Sequence, residues 1–249
     1  AGQSSVFVFD SLNGSLEVWT QAERLTDFIA PVDIEQDGQG GYLVSDSELA
    51  AVFRLATDGT PLGRFGDGIL ERPTGMAVDP ATGNIYVADT EAHNVKVFSS
   101  TGELVRVVGV PGDNGNIPGE LNAPLHVDVF GDRAYVTDAL NASVQVFSAR
   151  DGAALPPIGR RGLFVGNLVR PKGVTTDTNG NIYVVESYYD HLLVFDADGQ
   201  FLLPLGGTGS QPGQFFLPAG AWSDSDDRIF VADMFNGRVV IFRYRSSEG

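Results

Sequence analysis

The sequence predicts an all-β fold, a ring of six four-stranded antiparallel sheets whose first and last members are each one strand short, and three observations carry that prediction. A pattern of four short apolar segments recurs about every 40 residues, the spacing of one propeller blade per copy. Asp-Gly pairs stand between the third and fourth segments of several copies, where a tight hairpin needs positive φ. No helical periodicity interrupts the repeat, and no apolar run approaches the roughly 18 residues of a membrane helix. The repeat is continuous and no low-complexity linker splits it, so the 249 residues are read as one domain, 1–249.

Taken in order, Val6-Phe7-Val8-Phe9-Asp10 and Leu16-Glu17-Val18-Trp19 align with the second and third segments of later copies. The first 28 residues are therefore read as the last three strands of a blade without its first. The next copy runs from Pro31-Val32-Asp33-Ile34 through Tyr42 to Asp46 and Val52 to Leu55. The clearest copy follows: Pro73-Thr74-Gly75-Met76-Ala77-Val78, Ile85-Tyr86-Val87-Ala88-Asp89, Val95-Lys96-Val97-Phe98 and Leu104-Val105-Arg106-Val107-Val108. Later copies open at Pro124-Leu125-His126, Pro171-Lys172-Gly173 and Pro218-Ala219-Gly220, and the last stops after Val239-Val240-Ile241-Phe242. Runs of this length, β-branched and bounded by Gly, Pro, Asn or Asp, are strands. Pro156, Pro157 and Pro204 fall in fourth strands, whose outer edge needs no ladder donor. The open first and last blades predict a segment of a longer protein, or edges covered by neighbouring chain.

Charge narrows the partners. With 32 acidic against 16 basic residues the net charge is −16. Nucleic acid, which is gripped by clusters of Lys and Arg, is excluded as a partner, and so is membrane insertion. There is no cysteine, so disulfides, thiolate metal sites and cysteine catalysis are ruled out. The chain opens on Ala1-Gly2-Gln3 without a charged-then-apolar leader, and an extracytoplasmic setting, periplasmic or secreted, is the expectation.

Pro212-Gly213-Gln214-Phe215, Pro218-Ala219-Gly220 and Val231-Ala232-Asp233-Met234-Phe235-Asn236 resemble the NHL repeat family, and looser versions recur across essentially the whole chain. The resemblance implies a six-bladed propeller with the first strand of each blade lining a central tunnel. It leaves activity open, because one propeller architecture hosts binding modules and enzymes alike.

In an antiparallel blade the start of the first strand and the end of the second share one end, so two rings of repeated residues meet on one face. The outer ring is Asp10, Asp46, Asp89, Asp138, Glu186 and Asp233. These carboxylates are read as acceptors for the neighbouring turns, and also as a negative rim for cationic ligands. The inner ring is Asp33, Gly75, His126, Gly173 and Gly220, in which Asp33 and His126 break the small-residue rule. Those two are the candidate binding and metal-ligating residues, with calcium or zinc as the ions to consider and no cofactor as the default. The resemblance to peptide-amidating lyases implies zinc held by histidines, but His93 and His191 are read as loop residues at other offsets. Gluconolactonase-like propellers imply calcium held by carboxylates. Leu163, Phe164 and Val165 are read as core filling under a loop, with an exposed contact as the alternative. Tyr188, Tyr189, Met234 and Phe235 occupy matching loops of adjacent blades and form a candidate binding surface. The expected function is a non-enzymatic scaffold binding a protein or peptide, cationic in character, on the tunnel-mouth face. A metal-dependent lyase or hydrolase with its ion near Asp33 and His126 is the alternative.

Overall fold

The computed structural model describes residues 6–10, 15–19 and 28–243. Its strands are β1 (Val6–Asp10), β2 (Ser15–Trp19), β3 (Pro31–Gln36), β4 (Tyr42–Asp46), β5 (Ala51–Leu55), β6 (Pro61–Phe65), β7 (Pro73–Val78), β8 (Ile85–Asp89), β9 (Asn94–Phe98), β10 (Leu104–Val108), β11 (Val110–Pro111) and β12 (Glu120–Leu121). They continue with β13 (Pro124–Phe130), β14 (Arg133–Asp138), β15 (Ser143–Ser148), β16 (Ala154–Ile158), β17 (Pro171–Thr176), β18 (Ile182–Glu186), β19 (His191–Phe195), β20 (Phe201–Gly206), β21 (Pro218–Ser223), β22 (Arg228–Asp233) and β23 (Arg238–Arg243). The helical content of the described residues is one 3-10 turn, Met234–Asn236.

Four complete antiparallel sheets, β3–β6, β7–β10, β13–β16 and β17–β20, are followed by the three-stranded β21–β23, while β1 and β2 pair as a hairpin. The first strands neighbour one another in the order β3, β7, β13, β17, β21 and wall the tunnel. The fold is the expected propeller, with the last blade lacking its outer strand among the described residues. The fourth strand expected before residue 28 lies outside them. In the complete sheets the second and third strands are wedged between neighbouring sheets, so their side chains are largely covered on both faces: Ile85 through Asp89 are all buried. Tyr86 and Val97 of one blade share a cluster with Val127, Val136 and Phe147 of the next. Clusters of this kind bury most of each blade's apolar area, the main favourable term in folding.

Two repeated devices fix the geometry. At Gly109, Gly159 and Gly206 the chain leaves the outer strand with φ of 82°, 69° and 102°. A β-carbon there would strike Leu121, Leu168 and Phe215, each fully buried under the blade it precedes. Hydroxyl groups tie blade to blade: Ser45 Oγ donates to the Thr74 carbonyl at 2.6 Å, Thr90 Oγ1 to that of Pro124 at 2.7 Å and Thr137 Oγ1 to that of Lys172 at 2.6 Å.

Candidate functional site

Each proline that opens a first strand lies opposite the carboxylate that ends the second: Pro31 with Asp46, Pro73 with Asp89, Pro124 with Asp138, Pro171 with Glu186 and Pro218 with Asp233. The register slips just after each proline, and such a bulge re-aims the side chain that follows. The inner-ring residues sit at these slips, so the two rings share one face as expected.

The outer ring is structural. Asp46, Asp89, Asp138, Glu186 and Asp233 are all buried, and the side chain of Asp10 lies outside the described residues. Asp46 accepts N–H groups from Ile29, Ala30, Glu48 and Leu49. Glu186 accepts those of Val169, Arg170 and Tyr189. For Asp233, burial alone would raise the pKa, but the Phe216 N–H, the Asn236 amide and the Arg238 guanidinium together hold it below the ordinary carboxylate range. An exposed negative rim is therefore not formed by these groups, and the basis for expecting a cationic partner goes with it. The donors from the turn after each carboxylate were legible in the sequence, but those from the connection about 16 residues upstream, which complete its burial, were not.

The inner ring lines a cavity of about 710 Å³ with Asp33, Glu35, Gly75, His126, Lys172 and Gly220 in its wall. The structure brings Asp33 and His126 together: His126 Nε2 is 3.7 Å from Asp33 Oδ2, which also accepts the Met76 N–H at 2.7 Å. His126 Nδ1 is buried and has no hydrogen-bond partner among the described residues. Gly75 makes room for this ring, since a β-carbon there would come within 2.5 Å of His126 Cδ2 and 2.6 Å of its Cα. Gly75→Ala is accordingly expected to displace His126 and destabilise the protein by about 1–3 kcal/mol, the usual cost of overpacking. A thermal melt of the variant checks this.

Glu35 and Asp128 were not singled out by the repeat, yet lie two residues beyond Asp33 and His126 on the same sides of β3 and β13. Burial, then the charges of Asp33 and Asp128, push the Glu35 pKa well above its ordinary value. Burial also raises that of Asp128, against a 2.8 Å hydrogen bond from Thr176 Oγ1. Among the described residues, however, no group of three or more His, Asp or Glu side chains is placed to hold a metal ion. A catalytic zinc takes three protein ligands, so the donors present do not fit one. His93 Nδ1 accepts the Ala123 N–H, and His191, expected in a loop, is the first residue of β19.

The candidate surface aromatics meet on the same face. Tyr188 is 53% exposed and packs edge-on against the half-buried Tyr189 at 4.8 Å. Phe235, 61% exposed, packs on Phe216 at 5.4 Å, with exposed Met234 beside it. The Leu217 N–H donates to Asp190 Oδ1 and the Phe235 N–H to the Phe216 carbonyl, so the 206–217 connection bridges the two loops. Leu163, Phe164 and Val165 are 74%, 83% and 68% exposed, which overturns their reading as core filling. Their loop is closed behind them, with Gly162 N–H donating to the Leu168 carbonyl and Asn167 N–H to that of Phe164.

Comparison with known proteins agrees with this architecture. The NHL repeat family matches residues 70–98, and a family described as 6-bladed beta-propeller matches residues 167–248. Peptidyl-glycine alpha-amidating monooxygenase B of Xenopus laevis is 29% identical over 203 residues, covering 74% of this chain and 23% of that protein. The E3 ubiquitin-protein ligase NHLRC1 of Homo sapiens is 30% identical over 135 residues, covering 53% of this chain and 31% of its own length. The chain thus spans less than a third of either relative. A solved structure of virginiamycin B lyase from Staphylococcus aureus superposes with a TM-score of 0.68 at 10% identity, over 98% of this chain and 78% of that one. At that identity the likeness is one of fold. The chain carries an NHL repeat within an all-β propeller of four-stranded antiparallel blades.

Proposed function

We propose that this protein is a non-enzymatic recognition scaffold that binds a protein or peptide on its tunnel-mouth face. The observation that carries this reading is the set of exposed apolar side chains there, Tyr188, Met234 and Phe235, on loops anchored to a buried carboxylate ring. Large apolar groups presented on rigid loops are the usual anchors of protein contacts. One relative by name is a ubiquitin-protein ligase, a class that must engage protein. Tyr188→Ala combined with Phe235→Ala is expected to weaken capture of a partner recovered by pull-down by 30-fold or more, about 2 kcal/mol, while the melting temperature stays within a few degrees. Unchanged affinity in the double variant would move the contact to another face.

The second reading is a metal-dependent lyase or hydrolase acting in the tunnel, favoured by the approach of His126 to Asp33 and by the name of the amidating relative. It ranks below the first because the ligand set is short by one. Elemental analysis of chelator-washed protein separates the two: one equivalent of retained calcium or zinc would reverse the order.

A further inference from the structure

The exposed charge of the tunnel-mouth face is divided. Over the loops that join and top the β13–β16, β17–β20 and β21–β23 blades, the carboxylates are Asp138, Glu186, Asp190 and Asp233, and every one is buried. The connections 159–170 and 206–217 contain no Asp or Glu at all. On this half Arg160, Arg161 and Arg170 are exposed and Lys172 is half-buried in the cavity wall. None of the four forms an ion pair among the described residues. The opposite half is acidic on balance, with Glu48, Asp67, Glu71, Glu91 and Asp113 exposed against Arg64, which pairs with Asp67, and Arg72. A chain of net charge −16 thus gathers unneutralised cations around its exposed apolar residues. Burial and the adjacent Arg170 lower the Lys172 pKa, a repulsion that an anion bound between them would relieve. Arg161 Nη2 donates to the Leu140 carbonyl, which holds one edge of the guanidinium to the neighbouring loop while the residue stays exposed.

Resting on the scaffold reading above, we infer that this half of the face, Arg160, Arg161, Arg170 and Lys172 around Tyr188 and Phe235, is the docking site for an acidic peptide segment in which Asp or Glu flank an aromatic or aliphatic anchor. Complementary charge supplies steering and register, and the apolar anchor supplies the contact that charge alone lacks. A polyanion such as RNA is disfavoured because the remaining surface repels it at longer range. An anionic membrane is flat and would meet the acidic half of the same face.

The test is selection of displayed random 12-residue peptides on the immobilised full chain, followed by kinetics with the selected peptides. Sequences with Asp or Glu around Phe, Tyr, Trp or Leu are expected. Their binding should weaken tenfold or more in Arg160→Glu/Arg161→Glu and in Arg170→Glu/Lys172→Glu. It should be unchanged in Arg150→Glu, which reverses charge on an exposed turn at the opposite end of the blade. Association should slow several-fold between 50 and 300 mM salt, on the scale over which exposed charges are screened. Selected peptides that are neutral or basic, or indifferent to these reversals, overturn the inference and leave the scaffold reading standing. A 12-nucleotide RNA or phosphatidylserine vesicles bound with the same charge dependence, in place of peptide, also overturn it. Failure to select any peptide overturns both.

Discussion

Asp89→Ala is expected to destabilise the protein by about 3–5 kcal/mol, seen as a fall in the urea midpoint without change of slope. The carboxylate is fully buried, accepts the Glu71 N–H at 2.9 Å and the Arg72 N–H at 2.7 Å, and pairs with the Lys96 ammonium. Truncation orphans both backbone donors and leaves the ammonium, itself buried, without a counter-charge. Lys96→Leu should be far milder. The third-strand position of Lys96 is held by Phe53, Gln145, Leu193 and Val240 in other blades, and Leu193 sits beside a Glu186 satisfied by backbone N–H groups alone. Combining the two substitutions should therefore recover part of the loss, and a double-mutant cycle reads that coupling directly. An Asp89→Ala variant as stable as the parent would mean that the ring does not hold the blades.

Asp138 should make stability depend on pH in the opposite sense from a paired carboxylate. It has no cation beside it: burial raises its pKa to about 7, and the bonds from the Asn122 N–H and the Asn141 amide offset that only in part. The folded state thus holds a proton that the unfolded chain, with an ordinary value of 3.8, releases as pH rises between the two. Its favourable contribution is complete below about pH 4 and lost as pH climbs through 7, a swing on the order of 4 kcal/mol at 1.36 kcal/mol per unit. Asp138→Asn removes the titration, so the stability of the variant relative to the parent should rise from about pH 4 to about pH 7 and level off above that. Parallel stability curves would show that Asp138 is charged throughout.

What the sequence disclosed, it disclosed through repetition. Proline-to-carboxylate spacing placed the strands, their order and the shared face, because a device needed by every blade recurs in every blade. Departures from the repeat were legible where they fell at a ring position, which is how Asp33 and His126 stood out. Glu35 and Asp128 were written in the period of two along the same strands but fell outside the aligned rings. The exposure of Leu163, Phe164 and Val165 was not legible. Three apolar residues in a row imply burial, and only the closure of their loop through Leu168, which takes the inward place, turns them outward. The same holds for the ring carboxylates, whose charge counts toward composition but not toward the surface.

The hydroxyl ties between blades carry a consequence for how the molecule comes apart. Ser45, Thr90 and Thr137 each reach one blade forward and grip the inner strand of the next, so these ties couple each sheet to its immediate neighbour. Energetically this is an array of nearest-neighbour couplings, in which local opening spreads from one blade to the next. The inner strands β7 and β13, gripped by a preceding hydroxyl and flanked by complete sheets on both sides, belong to the middle of that array. Opening of a neighbouring blade is therefore resisted from both sides at β7 and β13, and the face made by the central blades keeps its shape longest.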